Sequence, residues 1–269
     1  MLYNLIFYVL CLMILMMNRI KKIKEIRNKL SNDESSIGSW MQIPNSSIAE
    51  IMGQSGYDWI AVDMEHGSID INQLPDVFRA LELGNTLPLA RLSEGSSKNC
   101  KQVLDAGAGG VIIPMVESAD ELEFLRDSCR WPPAGLRGVG FSRANLFGSL
   151  FKEYSIEAQS PLLIAMIESI KAVNNLEDIL KVSGLDAIFI GPYDLSASLG
   201  ITGKFDHSNY LKTIDTIRSL AQKYSIPCGI HIVEPNVGDL HNKINEKYQF
   251  IAYSIDSVIL SNGCKNPII

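Results

Sequence analysis

Two acidic residues close two short apolar runs. Leu162 to Ile167 runs into Glu168, and Ala187 to Ile190 runs into Gly191-Pro192-Tyr193-Asp194. If both runs are neighbouring parallel strands, both acids sit at carboxyl ends and face one mouth. Two carboxylates converging there, with no Lys or Arg immediately beside them, repel unless a cation lies between them. A hard divalent ion, which takes oxygen ligands and keeps waters for a substrate, suits that place. The alternative is two solvated loop acids, each capping the helix that follows.

Other apolar runs also end in polar groups. DWIAVD leads into Glu65 and His66, LPLA ends on Arg91, IGSWMQ carries Trp40 and Gln42, and PCGIHIV carries His231. A carboxylate such as Asp63, bonded to one ring nitrogen of His66, would fix its tautomer and leave the other nitrogen free to move a proton. The alternative is a satisfied loop histidine. Arg91, flanked by apolar residues, could clamp a substrate carboxylate or an oxyanion, or else pair structurally with Asp63 or Glu65. His231 reads as pocket lining rather than a metal ligand. His207 and His241 carry no evident chemistry, and Asp105, just before Gly107, reads on its own as a surface acid.

Such groups converge only if the strands holding them are parallel. Between the two opening runs, Val173, Leu176, Ile179, Leu180 and Val182 recur at near-helical spacing. The same alternation fills the chain from Ile37. Strands are expected at Ile37–Gln42, Asp58–Asp63, Leu87–Leu92, Gly110–Pro114, Leu162–Ile167, Ala187–Ile190, Pro227–Val233 and Phe250–Ser254. Helices are expected between them, and Trp131–Tyr154 is expected to be irregular. Eight strand–helix units in one domain predict an α/β fold of the (β/α)₈ TIM-barrel type. The rival, an open doubly wound sheet, lacks support because no GxGxxG follows the first strand. Only a short tail follows the eighth strand, so the last helix is either abbreviated or exchanged with another subunit.

The 269 residues hold no linker or low-complexity stretch, and 46% hydrophobic content is ample for one core. A net charge of −6 and a pI near 5.3 argue against nucleic acid as a partner. Five scattered cysteines with no CxxC suggest neither a disulfide framework nor a zinc site, and fit a reducing, cytoplasmic setting. Residues 1–17 are almost wholly apolar and are followed by Arg19, Lys21, Lys22 and Lys24. They read either as an upstream start, with translation beginning at Met16 or Met17, or as a membrane anchor that keeps the domain on the cytoplasmic side. Residues 18–35 read as a basic amphipathic lead-in helix, and 36–269 as the barrel.

Taken in order, DWIAVDMEHG, PLARL, GAGGVIIPMVES, PPAGLRGVG, IAMIES-KAVNN and DAIFIGPYDLSASLG resemble the metal-dependent (class II) pyruvate aldolases. The members it resembles act on 4-hydroxy-2-oxoheptanedioate and 2-dehydro-3-deoxyglucarate. The resemblance is strong over Ile37–Gly203 and holds in outline beyond. It implies a divalent ion (Mg²⁺, Mn²⁺ or Co²⁺) on Glu168 and Asp194, with pyruvate chelating it through its keto and carboxylate oxygens. It implies that Arg91 stabilises the enolate and that His66 with Asp63 forms the acid/base dyad. Trp40 matches the aromatic residue at the first strand end. The N–H groups of Tyr193 and Asp194 match those that hold the pyruvate carboxylate. Asp105 matches a carboxylate supplied from an adjoining subunit, and a homohexamer is implied.

The chain departs from its relatives where they have Gln-x-Glu and it has Met166-Ile167-Glu168. It also departs at Tyr193, where a small residue is frequent, and at His231, where an apolar one is. Both latter changes touch the aldehyde side of the pocket, so an acceptor other than succinic semialdehyde is expected. The reaction expected is reversible cleavage of a 4-hydroxy-2-oxo acid, or a 2-dehydro-3-deoxy sugar acid, to pyruvate and an aldehyde. Oxaloacetate decarboxylation, a citrate-lyase-like thioester lyase, and a membrane-tethered non-catalytic binding protein are the alternatives.

Overall fold

The computed structural model describes residues 19–268. Eight parallel strands pair in sequence order and close on themselves. They are β1 (Ser36–Met41), β2 (Trp59–Asp63), β3 (Leu87–Arg91), β4 (Gly110–Ile113), β5 (Leu162–Ile167), β6 (Ala187–Ile190), β7 (Cys228–Ile232) and β8 (Phe250–Ile255). The runs that mark them lack polar alternation because each strand is covered on both faces; every residue of LLIAMI in β5 is buried. This is the single (β/α)₈ barrel expected from the strand–helix alternation.

Two apolar layers hold it. Between sheet and helices lie residues such as Met41, Ile60, Val62, Ala90 and Ile113. Inside the barrel lie Trp40, Trp59, Leu87, Leu89, Ile112, Met166, Phe189 and Phe250. Trp59 stacks on Phe250 with ring centroids 4.1 Å apart, and only a glycine at position 38 leaves room for that indole. A Cβ there would lie 2.1 Å from the Trp59 ring.

The lead-in helix, α1, covers 19–31. Its Ile23, Ile26 and Leu30 join the inner cluster beside Trp59, Leu87, Leu162 and Phe250, the first residues of their strands, so α1 plugs the amino-terminal end of the barrel. Its basic residues meet protein acids. Arg27 lies 2.7 Å from Asp186, Lys29 lies 2.7 Å from Asp58, and buried Arg19 pairs with Glu157 and Glu82. The apolar segment 1–17, with its start-or-anchor alternatives, falls outside the described residues. Among those described, no helix is long and apolar enough to cross a membrane.

The outer helices are α2 (Ser46–Gly53), α3 (Leu74–Leu83), α4 (Ser97–Ala106), α5 (Ala119–Cys129), α6 (Phe151–Glu157), α7 (Ile170–Asn174), α8 (Leu176–Ile179), α9 (Pro192–Ser198), α10 (Ser208–Lys223), α11 (Val237–Asn245) and α12 (Asp256–Gly263). Two expectations need correction. The single helix read between β5 and β6 is two, broken at Asn175, whose φ of −101° and ψ of 7° leave the helical region. The stretch read as irregular contains a 3₁₀ turn, Arg143–Gly148, and then α6. Trp131 and Tyr154 anchor that stretch, packed edge to face 5.1 Å apart.

The last helix, α12, is abbreviated to eight residues and packs on β1 and β8 of its own barrel. Its first residue, Asp256, accepts N–H bonds from Gln42 and Ile43, each at 2.9 Å. That carboxylate ties the end of β1 to the end of β8 at the barrel seam.

Candidate active site

Because the strands are parallel, their carboxyl ends share one rim, where loops rather than packing dictate the side chains. A cavity of about 350 Å³ opens there, lined by Trp40, Gln42, Asp63, His66, Arg91, Met166, Phe189, Tyr193, Asp194 and His231 among others. Trp40, Gln42, Asp63, His66, Arg91, Asp194 and His231 from the strand ends line this mouth, and Glu65 and Glu168 meet it through Arg91.

Asp63 organises one side. Its Oδ1 accepts the N–H groups of Glu65 (3.0 Å) and His66 (3.1 Å), the local turn chemistry of an aspartate at a strand end. Its Oδ2 accepts Trp40 Nε1–H (2.9 Å) and Gln42 Nε2–H (3.2 Å). Arg91, paired in register with Asp63 across β2 and β3, brings Nη1 to 3.5 Å from Oδ1. Burial opposes ionisation of Asp63. The Arg91 charge and these hydrogen bonds outweigh it and hold the carboxyl below the usual range.

The expected bond between Asp63 and the His66 ring is therefore corrected. Both Asp63 oxygens are already taken, and the two residues meet only through the His66 backbone. The imidazole itself is exposed at the mouth.

Arg91, 4% exposed, faces three acids. Its Nη2 lies 2.5 Å from Glu65 Oε2 and 3.6 Å from Glu168 Oε1. Glu168, 2% exposed, follows β5 directly. Its Oε2 accepts the N–H of Met115 at 2.9 Å, which the turn after β4 delivers by taking φ of +50°. Its Oε1 is buried and has no hydrogen-bond partner among the described residues. Burial, reinforced by the charges of Asp194 and Glu65, pushes the Glu168 carboxyl up to about 7 against the opposing Met115 bond and Arg91 charge.

Asp194 is exposed in the first turn of α9, a helix whose N-cap, Gly191, provides no side-chain cap. One guanidinium thus stands among Asp63, Glu65, Glu168 and Asp194. An orphaned buried oxygen in so acidic a place fits a divalent cation. Among the described residues no group of three or more His, Cys, Asp or Glu side chains forms a ready-made cage. A two-carboxylate site of that kind suits an ion that keeps positions for water and substrate.

Gly191 is what lets Glu168 lie there: a Cβ at position 191 would stand 2.3 Å from Glu168 Oε1. Its φ of −93° is open to any residue, so Gly191→Ala is expected to move the carboxylate rather than the fold. If Glu168 serves a divalent ion, Mn²⁺ affinity should fall roughly tenfold to a hundredfold, as it does when the support of a metal ligand is disturbed, with Tm unchanged. Metal titration and melting curves check this; wild-type affinity in the variant would contradict it.

Tyr193, 58% exposed, stands over the mouth edge-on to Phe205 at 5.1 Å. His231 leans on Trp40, centroids 5.0 Å apart. Asp105 sits elsewhere. It lies near the end of α4, and helices run counter to the strands, so it falls toward the opposite end of the barrel beside Arg137 and Lys101. Within one chain it is no part of this mouth. Met115, Gly191 and Ser254, whose carbonyl meets His231, carry little signal in the sequence. They act through the main chain or through a missing side chain, and only the Gly-Pro pair at 191–192 hinted at one of them.

Comparison with known proteins identifies relatives of this barrel. The family model described as HpcH/HpaI aldolase/citrate lyase matches residues 36–263. A hydroxypyruvate/pyruvate aldolase from Roseobacter denitrificans is 35% identical, over 89% of this chain and 94% of its own. A 2-keto-3-deoxy-L-rhamnonate aldolase from Shigella boydii is 35% identical, over 88% and 89%. Among solved structures, an HpcH/HpaI aldolase/citrate lyase family protein from Burkholderia cenocepacia superposes with a TM-score of 0.83 at 29% identity, over 89% of this chain and 95% of that one. With a matching model across the whole barrel and relatives above 30% identity along nearly their full length, the chain belongs to the HpcH/HpaI aldolase/citrate lyase family.

Proposed function

We propose that this family member is a divalent-metal-dependent aldolase that cleaves 4-hydroxy-2-oxo acids, including 2-keto-3-deoxy sugar acids, reversibly to pyruvate and an aldehyde. The observation that carries this reading is the orphaned Glu168 Oε1, held beside Arg91 in a strongly acidic mouth. Glu168 and Asp194 would hold the ion, Mg²⁺ or Mn²⁺ by their oxygen donors. Bound there, it would polarise the 2-oxo group of the substrate as a Lewis acid.

The chain's own residues do the rest. Arg91 places a fixed positive charge where the 2-oxo oxygen gains negative charge as the C3–C4 bond breaks. His66 takes the proton of the 4-hydroxyl, which becomes the aldehyde. The electron pair left on C3 is quenched by a proton, giving the methyl group of pyruvate. The N–H groups of Tyr193 and Asp194, in the first turn of α9, are donors for the pyruvate carboxylate. Trp40 forms the wall beneath. Among the described residues no lysine lines the mouth, so none is placed there as a Schiff-base nucleophile. Arg91 is, among the described residues, its one basic side chain of fixed charge, too little for the phosphates of a coenzyme A thioester.

His66→Ala is expected to lower kcat about a hundredfold. That is the low end for a general acid–base group, because solvent reaches an exposed ring and takes over part of the proton transfer. Steady-state pyruvate release measures it; an unchanged kcat removes His66 from the mechanism.

Asp105, remote from its own mouth, would act only on a neighbouring subunit of an oligomer. Co-assembled Asp105→Ala and Glu168→Gln chains are then expected to regain activity that neither has alone. Failure to regain it takes Asp105 out of the reaction. The function itself is tested by pyruvate release from a panel of 4-hydroxy-2-oxo acids, with and without added metal.

A further inference from the structure

Strand β8 carries a buried, non-glycine residue in the left-handed region. Ser254 has φ of +60° and is fully buried. An L-residue there is strained, so the surrounding structure must hold it. At the same level the pairing of β8 with β1 slips between Gly38 and Trp40. The local outcome is a main-chain carbonyl that serves side chains: Ser254 O receives His231 Nε2 at 3.1 Å and Ser39 Oγ–H at 3.4 Å.

A carbonyl oxygen only accepts, so Nε2 carries the hydrogen. The ring stays neutral, since burial, with the Arg91 charge, outweighs the Ser254 bond and Asp63 and holds it down to about 4. In a neutral imidazole with Nε2–H, Nδ1 is a bare lone pair. Nδ1 has no protein hydrogen-bond partner among the described residues, and the part-buried His231 lines the mouth. Trp40, 5.0 Å away, backs the ring, and Trp40 is itself pinned by Asp63. The histidine is thus locked in tautomer and in orientation, and it offers an acceptor among lining residues that include the apolar Trp40, Phe189 and Ile255.

We propose that His231 Nδ1 is a specificity-determining acceptor that selects reactants bearing a hydroxyl beside the reacting carbonyl. Such a hydroxyl satisfies the lone pair. A deoxy analogue leaves it unpaired, and a carboxylate-ended aldehyde sets anion against lone pair, so discrimination works in both directions. The proposal rests on the aldolase reading for the identity of the reactants. The hydroxyl has two sources, a 2-hydroxyaldehyde acceptor or a 3-hydroxy-2-oxo acid donor.

The test crosses pyruvate and hydroxypyruvate with acetaldehyde and glycolaldehyde, using the full chain with Mn²⁺. The wild type should prefer the hydroxylated member in at least one arm. His231→Leu should lower that kcat/KM ratio about threefold to tenfold, the worth of one neutral hydrogen bond. His231→Gln, whose amide can both donate to Ser254 and accept, should restore most of it, which a merely structural role would not do. A fall in the glycolaldehyde ratio assigns the hydroxyl to the acceptor, and a fall in the hydroxypyruvate ratio assigns it to the donor. No wild-type preference in either arm, or ratios unchanged in His231→Leu, overturns the proposal.

Should no pair react, the aldolase reading fails. Binding of hydroxypyruvate against pyruvate, followed by tryptophan fluorescence, then decides the proposal. A hydroxypyruvate preference lost in His231→Leu supports it, and equal affinities overturn it.

Discussion

Exchanging Glu168 for glutamine is expected to lower kcat/KM about a thousandfold while leaving the metal-free protein at least as stable as the wild type. The two effects have one origin. Glu168 is 2% exposed, its Oε1 has no partner, and Glu65 and Asp194 crowd its charge. Arg91, 3.6 Å away and shared with Asp63 and Glu65, offsets only part of that burden, because burying a carboxylate among other acids is unfavourable. The amide has the same shape and can still accept the Met115 N–H. It removes the charge that would hold a divalent ion. Losing one preorganised electrostatic contact costs about 10²–10³ in turnover, and the ion itself goes with it here. Parallel measurements of kcat/KM, Mn²⁺ affinity and Tm separate function from folding. Activity within tenfold of wild type, or a marked drop in Tm without metal, would show that Glu168 is a structural acid.

Arg91 should behave in the opposite way, with function and stability falling together. It ends β3 opposite Asp63 of β2, 4% exposed, within 3.6 Å of Asp63, Glu65 and Glu168. Arg91→Ala leaves Asp63 and Glu168 buried without a protein cation. Breaking a buried pair in this way costs about 3–5 kcal/mol, which chemical denaturation would register. Arg91→Lys keeps a charge but loses the planar fork that reaches several acids at once. It should fold, and its kcat should fall roughly 10²–10³-fold with KM little changed, the mark of an interaction made mainly in the transition state. A rise in KM with normal kcat would instead make Arg91 a substrate-binding group only.

What could be read from the chain depended on how local the signal was. Strands β5 and β6 are continuous apolar runs bounded by turn residues, and their limits fall where the residues place them. Parallel strands then put Glu168 and Asp194 on one rim without further information. The partners of Asp63 could not be read so. Trp40, Gln42 and Arg91 reach it from β1 and β3, and only the register of three strands decides that its oxygens are spent before the His66 ring can claim one. Main-chain contributions were equally hidden. The Met115 N–H and the Ser254 carbonyl depend on positive φ at residues whose type gives no warning. The helix after β5 kept its apolar spacing through Asn175, where the backbone breaks it nonetheless. Asp105 was placed by likeness to relatives, and one chain folded on itself holds it away from its own mouth.

The proposed mechanism has Glu168 and Asp194 hold a divalent ion on which aldol cleavage depends. Its most direct test is pyruvate release from 4-hydroxy-2-oxo acids by full-length protein, before chelation, after it, and after adding back Mg²⁺ or Mn²⁺. Cleavage should vanish on chelation, return with either ion in the wild type, and fail to return in Glu168→Gln. Pyruvate released at an undiminished rate by the metal-free protein, or restored equally in the variant, would contradict the claim.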